Sequence, residues 1–174
     1  MDTKNQINIF IVEDNEIFRM ALKSDIENTF PKAPIKIHLF DTGESCMDRF
    51  VREMPELVIL DYHLNSKFPN AADGIKVLDW IKKESPETNV IILTSDDHID
   101  IAVKSLKHGA SDYVVKTETK FKKINYSVLN MFKIIEARRG AKKYKNLAIG
   151  FCLCFALMIA GVFIIQLFYP TILR

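Results

Sequence analysis

The chain has 174 residues and a mass of 20.0 kDa, of which 48% are hydrophobic and 26% charged. This length suffices for one folded domain, and the composition excludes an intrinsically disordered chain. Three cysteines are too few for a disulfide scaffold. The formal net charge is +2, but residues 1–137 contain 18 Lys and Arg against all 22 Asp and Glu. This part is therefore acidic, and no nucleic-acid partner is expected for it.

Apolar segments that alternate with helical patterns predict five β-strands, each followed by a helix. The strands are predicted at 7–13, 35–40, 57–61, 89–95 and 112–116, and the helices at 15–30, 43–53, 74–85, 98–108 and 118–139. Pro31, Pro55 and Pro86 follow the first three helices and end them. Residues 62–73 are predicted to form a polar loop.

The hydrophobic pattern of the strands predicts the type of sheet. Strand 35–40 alternates, with Lys36 and His38 predicted to point outward, whereas the first, third and fourth strands are continuously apolar. Continuous apolar strands are typical of a parallel sheet that helices cover on both faces. The fold class is therefore predicted to be α/β, a doubly wound five-stranded parallel sheet. Its ligands are expected at the carboxyl ends of the strands.

Polar residues follow the strands at that edge. Glu13 and Asp14 end the first strand, Asp61 ends the third, Thr94 the fourth and Lys116 the fifth. Three carboxylates close together repel one another, and an all-oxygen site of this kind suits Mg²⁺. Asp61 could then attack a phosphoryl group whose oxygens are bound by Lys116 and the Thr94 hydroxyl. A single acid at a strand end could merely cap a helix, so the prediction depends on all five residues together.

Four segments in register are together specific enough to suggest a family. They are IFIVEDN (9–15), VILDYHL (58–64), VIILTSDD (90–97) and YVVK (113–116). In this order they resemble the receiver domain of two-component response regulators, over about residues 5–135. The resemblance implies a flavodoxin-like sheet with strand order 2-1-3-4-5.

The resemblance also implies a role for each matched residue. Asp61 corresponds to the aspartate that accepts the phosphoryl group, and Asp14 to the acid that binds Mg²⁺ directly. Glu13 corresponds to the more distant acidic neighbour, and the backbone carbonyl of His63 to the third protein ligand of the metal. Receivers of this family take the phosphoryl group from a histidine kinase or a phosphotransfer protein, and they hydrolyse the aspartyl phosphate slowly.

The remaining matched residues concern the phosphorylated state. Thr94 and Lys116 correspond to the hydroxyl and the lysine that hold the phosphoryl group, and Thr94 and Tyr113 correspond to the conformational switch. Glu13 replaces the commoner aspartate, and Thr117 stands where the family usually has a proline. The loop 62–73 is about five residues longer than usual.

A second part of the chain is strongly apolar. Residues 147–169 contain Gln166 as the only strongly polar side chain, and as a helix they would be about 35 Å long, enough to span a bilayer. Residues 138–146 form a basic juxtamembrane linker, and 170–174 a short tail. The positive-inside rule predicts a single-pass protein of the cell inner membrane with the domain 1–137 in the cytoplasm. The basic residues of 138–145 are also expected to contact anionic lipid.

The chain is predicted to function as a membrane-tethered receiver. Phosphorylation of Asp61 would switch a protein-interaction surface, and the result would be dimerisation or contact with another protein. Three alternatives remain open: a phosphate sink or relay without output, a membrane-localised scaffold that works without phosphorylation, and a Mg²⁺-dependent phosphatase. The phosphatase would usually need a second acid where His63 stands.

Overall fold

The structure is a computed structural model in which residues 6–64, 72–95 and 99–168 are described, without the side chains of 166–168. The strands are β1 (Ile7–Val12), β2 (Ile35–Phe40), β3 (Leu57–Asp61), β4 (Asn89–Thr94) and β5 (Asp112–Val115). The helices are α1 (Glu16–Thr29), α2 (Gly43–Glu53), α3 (Gly74–Glu84), α4 (Ile99–Lys107) and α5 (Lys120–Phe168). The predicted alternation of strands and helices is confirmed. Residues 65–71 of the predicted loop lie outside the described residues, as does His98, where the fourth helix was predicted to begin.

The five strands form one parallel sheet in the order β2-β1-β3-β4-β5. This order confirms the doubly wound, flavodoxin-like sheet. Every residue of β3 and β4 is buried, as their continuous apolar sequences predict. Because successive side chains of a strand point to opposite faces, the two central strands contribute to a core on each face of the sheet.

Side-chain caps set where three helices begin. Asn15, Thr42 and Asp73 each accept a hydrogen bond from the backbone N–H three residues later. Such caps satisfy backbone donors that have no partner inside the helix. Since α1 begins within a few residues of the end of β1, its cap also fixes the path of the chain that carries Glu13 and Asp14.

One outward-pointing residue was predicted wrongly. His38 lies on edge strand β2, but only 11% of its side chain is exposed, and its ring packs edge-on against Phe10 with 5.3 Å between ring centroids. The Oε2 atom of Glu53 lies 3.5 Å from the Nε2 atom of His38. A polar side chain on an alternating strand is therefore covered here, because α2 ends beside it.

The chain divides into two compact units, Met1–Met131 and Phe132–Arg174. Helix α5 contributes to both, since it continues from Lys120 to Phe168 without the end that was predicted near Arg139. The lysines, arginines and alanines around Gly140 favour a helix, and one glycine costs only about 1 kcal/mol in its interior. The predicted limits of the receiver domain, the basic linker, the apolar segment and the tail remain predictions, at 1–137, 138–146, 147–169 and 170–174.

Within the second unit, helix α5 is long and apolar enough to cross a membrane. Its most apolar 18-residue window has a mean hydropathy of 2.8, and none of that window is buried. The exposed side chains include Phe151, Leu157 and Phe163. Tyr169 and the predicted tail 170–174 lie outside the described residues.

Candidate functional site

Three carboxylates meet at the carboxyl edge of the sheet. Strands β1 and β3 are neighbours with Val12 opposite Leu60, so Glu13, the next residue along the chain, is brought beside Asp61. Glu13, Asp14 and Asp61 each offer an oxygen within 4.8 Å of the others. All three residues are buried, with at most 5% of their surface exposed. The structure thus brings together the acids that the sequence analysis selected.

Lys116, the residue after β5, supplies the positive charge of this site. Its Nζ atom lies 2.7 Å from Glu13 Oε2 and 2.9 Å from Asp61 Oδ2, and only 13% of its side chain is exposed. Its backbone N–H donates to the Thr94 carbonyl at 2.7 Å. Although Thr117 occupies the usual proline position, Lys116 therefore reaches the acids.

Burial and crowding change the ionisation of the site. Burial raises the pKa of Glu13 from 4.5 to about 7, and the negative charge of Asp61 acts in the same direction. The Lys116 ammonium and the Asn15 N–H, which donates to Glu13 Oε1 at 3.2 Å, oppose part of this rise in the pKa of Glu13. One lysine therefore does not compensate all the negative charge that the acids would carry when ionised.

The donor set fits a hard divalent cation. Asp61 Oδ1 is buried and has no hydrogen-bond partner, although a buried carboxylate oxygen normally has one. Asp61, Glu13 and Asp14 together offer an all-oxygen set with excess negative charge, which suits Mg²⁺. His63, whose carbonyl was predicted to be a further ligand, lies two residues after Asp61, and its ring packs edge-on against Tyr62 with a 4.8 Å centroid distance.

The two residues predicted to act as a switch lie on neighbouring strands. Thr94 is fully buried at the end of β4, one residue after Leu93, which lies opposite Asp61. Tyr113 lies on β5 and packs, partly buried, against the core on one face of the sheet. Thr94 therefore lies at the same edge of the sheet as the acids, whereas Tyr113 lies further from that edge.

Two further residues support the site and were missed in the sequence. Arg19 Nη1 donates to the Glu13 carbonyl at 2.5 Å and contacts the Phe40 carbonyl at 3.5 Å, which ties the ends of β1 and β2 together. A Cβ atom on Gly74 would collide with the Asp61 carbonyl oxygen, so glycine allows α3 to approach β3. The spacing of Arg19 with the buried Leu22 and Ile26 was the available signal, because a charged residue rarely occupies an inward helix face.

Comparison with known proteins identifies relatives of this arrangement. A family model described as the response regulator receiver domain matches residues 9–125. The regulatory protein LuxO of Vibrio cholerae is 33% identical over 82 residues, which are 47% of this chain and 17% of LuxO. The probable C4-dicarboxylate response regulator DctR of Bacillus subtilis is 28% identical over 138 residues, which are 79% of this chain and 52% of DctR. The chain thus spans about half or less of the length of these curated relatives.

Solved structures support the fold. The signal receiver domain of a putative LuxO repressor protein from Vibrio parahaemolyticus superimposes with a TM-score of 0.66 and 27% sequence identity, covering 77% of this chain and 95% of that domain. NtrX from Brucella abortus gives a TM-score of 0.67 at 22% identity, covering 79% of this chain and 30% of NtrX. The match to NtrX concerns the fold alone.

Proposed function

Since the chain belongs to the response regulator receiver domain family, we propose that it accepts a phosphoryl group on Asp61. The donor would be a phosphohistidine on a histidine kinase or a phosphotransfer protein, and Mg²⁺ would be bound. We further propose that 147–169 anchors the chain in the cell inner membrane with the receiver in the cytoplasm. The observation that carries the proposal is the buried cluster of Glu13, Asp14 and Asp61 with Lys116 Nζ 2.9 Å from Asp61.

The chemistry follows from the positions of the charged groups. A carboxylate oxygen of Asp61 attacks the phosphorus, the N–P bond to the donor imidazole breaks, and its electron pair remains on that nitrogen. Lys116 then exchanges its contact with Asp61 for one phosphoryl oxygen, and the Thr94 hydroxyl donates to another. Mg²⁺, held by Glu13, Asp14, Asp61 and the His63 carbonyl, would neutralise charge on the phosphoryl oxygens.

The output surface is proposed beside β5. As Thr94 is drawn to the phosphoryl group, it would leave space that the Tyr113 ring can enter. Exposed apolar side chains flank this strand: Ile99 and Leu106 on α4 are 76% and 53% exposed, and Tyr126 on α5 is 68% exposed. A surface of this composition suits a protein partner, and a homodimer is one form that such a contact could take.

The anchor is proposed from composition and charge. An exposed apolar helix of this length favours a bilayer over water because its side chains are apolar, and its backbone hydrogen bonds are satisfied within the helix. The basic residues of 138–145 would lie at the cytoplasmic interface and contact anionic lipid headgroups. Phosphorylation would then change a surface that is confined to the membrane.

The test is the intact mass of the full chain in lipid nanodiscs after incubation with acetyl phosphate, with and without Mg²⁺. We expect one added phosphoryl group that requires Mg²⁺ and is absent from Asp61→Asn. Asp79→Asn is the matched control, because Asp79 is a half-exposed acid on α3 that pairs with His108. Repeated turnover of small phosphate esters would instead favour the phosphatase.

Phosphotransfer from purified histidine kinases is the second arm of the test and detects a requirement for a protein donor. An unmodified mass for the folded, Mg²⁺-binding wild type in both arms would contradict the phosphoacceptor role. If no donor modifies Asp61, a membrane-localised scaffold becomes the better explanation. If phosphorylation occurs without any change in partner binding, the chain acts as a phosphate sink or relay.

A further inference from the structure

Lys116 has a third neighbour besides the two carboxylates. Its Nζ atom lies 4.9 Å from the centroid of the Phe18 ring, within the range in which an ammonium is attracted to the face of an aromatic ring. We propose that Phe18 is a positioning residue that holds the Lys116 ammonium at the phosphorylation site. This inference rests on the proposed function, because Lys116 has its role in phosphoryl transfer.

The surroundings of Phe18 hold its ring in place. The Phe18 backbone N–H donates to the Asn15 side chain at 3.1 Å, which fixes Phe18 in the first turn of α1. Phe121 on α5 stacks on it with ring centroids 5.7 Å apart and an interplanar angle of 18°. Both helix segments belong to the same compact unit as the sheet. The ring therefore has a defined orientation before any phosphoryl group arrives.

An aromatic ring suits this position because of what Lys116 must do. An ammonium has three N–H donors, and here two of its contacts are made with Glu13 and Asp61. During phosphoryl transfer at least one of these contacts has to pass to a phosphoryl oxygen. The face of a ring attracts the cation without a strong acceptor atom that would compete for those donors. Phe18 can therefore hold Lys116 both before and after transfer.

The contact with Phe18 gains importance from a departure from the family pattern. The usual proline after the lysine is replaced by Thr117, so the backbone there has more freedom than a proline would allow. Contacts of the side chain itself then have more influence on where the ammonium lies. The ring of Phe18, together with Glu13 and Asp61, supplies those contacts.

The experiment compares Phe18→Leu, which removes the ring, with Phe18→Tyr, which keeps it, in the full chain in nanodiscs. We expect Phe18→Leu to lower the rate constant for phosphorylation by acetyl phosphate about fivefold, and Phe18→Tyr to stay within about twofold of wild type. Phe151→Leu, which makes the same substitution at an exposed ring of the second unit, is the matched control and is expected to stay within about twofold. The melting temperature of each variant shows whether it is folded.

A double-mutant cycle with Lys116→Met separates positioning from packing. If Phe18 acts through the ammonium, Phe18→Leu has no further effect on the rate once Lys116 is methionine. An equal loss in both backgrounds, or the same loss for Phe18→Tyr as for Phe18→Leu, would overturn the proposal.

A spectroscopic arm distinguishes failure of this inference from failure of the proposed function. In protein labelled with ¹³C at lysine Cε, the Lys116 resonance is assigned by its loss in Lys116→Met. We expect its protons to be shifted upfield by the Phe18 ring, and this shift to vanish in Phe18→Leu and persist in Phe18→Tyr. This measurement does not require phosphorylation. If the wild type accepts no phosphoryl group, that result counts against the proposed function, and the chemical shift of Lys116 still tests its contact with Phe18. A Lys116 resonance unchanged by Phe18→Leu would overturn the positioning role.

Discussion

The substitution Glu13→Gln replaces a buried carboxylate by a neutral side chain of nearly the same shape. In the wild type the pKa of Glu13 is raised from 4.5 to about 7, mainly by burial and then by the charge of Asp61. At pH 8 the residue is ionised in both the folded and the unfolded chain. The raised pKa then corresponds to about 3 kcal/mol of lost stability in the metal-free protein.

The sign of the pH dependence follows from proton binding. Between the unfolded pKa of 4.5 and the folded pKa of about 7, the folded chain binds more protons than the unfolded chain. The contribution of Glu13 to the free energy of unfolding is therefore fully present below pH 4.5 and is lost as the pH rises through 7. Glutamine resembles the protonated acid and removes this slope. We expect Glu13→Gln to be more stable than wild type by about 3 kcal/mol at pH 8, and by no more than about 1 kcal/mol at pH 5.

The assay is urea unfolding of the full chain in detergent with EDTA, from pH 5 to pH 8. The single tryptophan, Trp80 on α3, reports unfolding of the first unit by its fluorescence. Glu16→Gln is the matched control, because Glu16 is an exposed acid in the first turn of α1, and it should keep the wild-type slope. A loss of stability in Glu13→Gln at pH 8 would refute the reasoning, since the pair with Lys116 would then outweigh the cost of burying the charge. Mg²⁺ should stabilise the wild type more than Glu13→Gln.

Three further predictions concern other parts of the chain. Gly74→Ala would force a Cβ atom against the Asp61 carbonyl oxygen and the Tyr62 backbone. We therefore expect the free energy of unfolding, measured in urea, to fall by about 1–3 kcal/mol. An unchanged midpoint would contradict the close approach of α3 to β3. Met54 ends α2 with φ of 42°, a left-handed conformation that glycine adopts readily. Met54→Gly should therefore raise the free energy of unfolding by up to about 1 kcal/mol. A lower free energy of unfolding would show that the exposed methionine side chain stabilises the fold by more than the backbone strain costs. Leu157→Arg puts a charge in the apolar segment at a cost of about 3 kcal/mol for insertion. It should move the chain from the membrane to the soluble fraction, and retention in a carbonate-washed membrane pellet would count against the anchor.

The contacts of the candidate site show which parts of it could be read from the sequence. The five residues at the strand ends were identified because each follows an apolar strand, and parallel strands end at one edge. The distances could not be obtained in this way. Lys116 and Glu13 are separated by 103 positions, and their 2.7 Å contact depends on strand order and side-chain conformation. Arg19 and Phe18 were missed because the helical pattern of α1 indicates which face points inward, but not which side chains of that face reach the edge of the sheet.

The amino-acid pattern was sufficient to predict the alternation of strands and helices, the parallel sheet and the acids at its carboxyl edge. These features depend on local hydrophobic periodicity, which the chain displays directly. The folded chain was needed to show that Lys116 contacts two carboxylates and the Phe18 ring, and that His38 is covered. It was also needed to show that α5 continues through Gly140. Such outcomes depend on contacts between distant segments and on competing local preferences, and a periodic pattern contains no information about either.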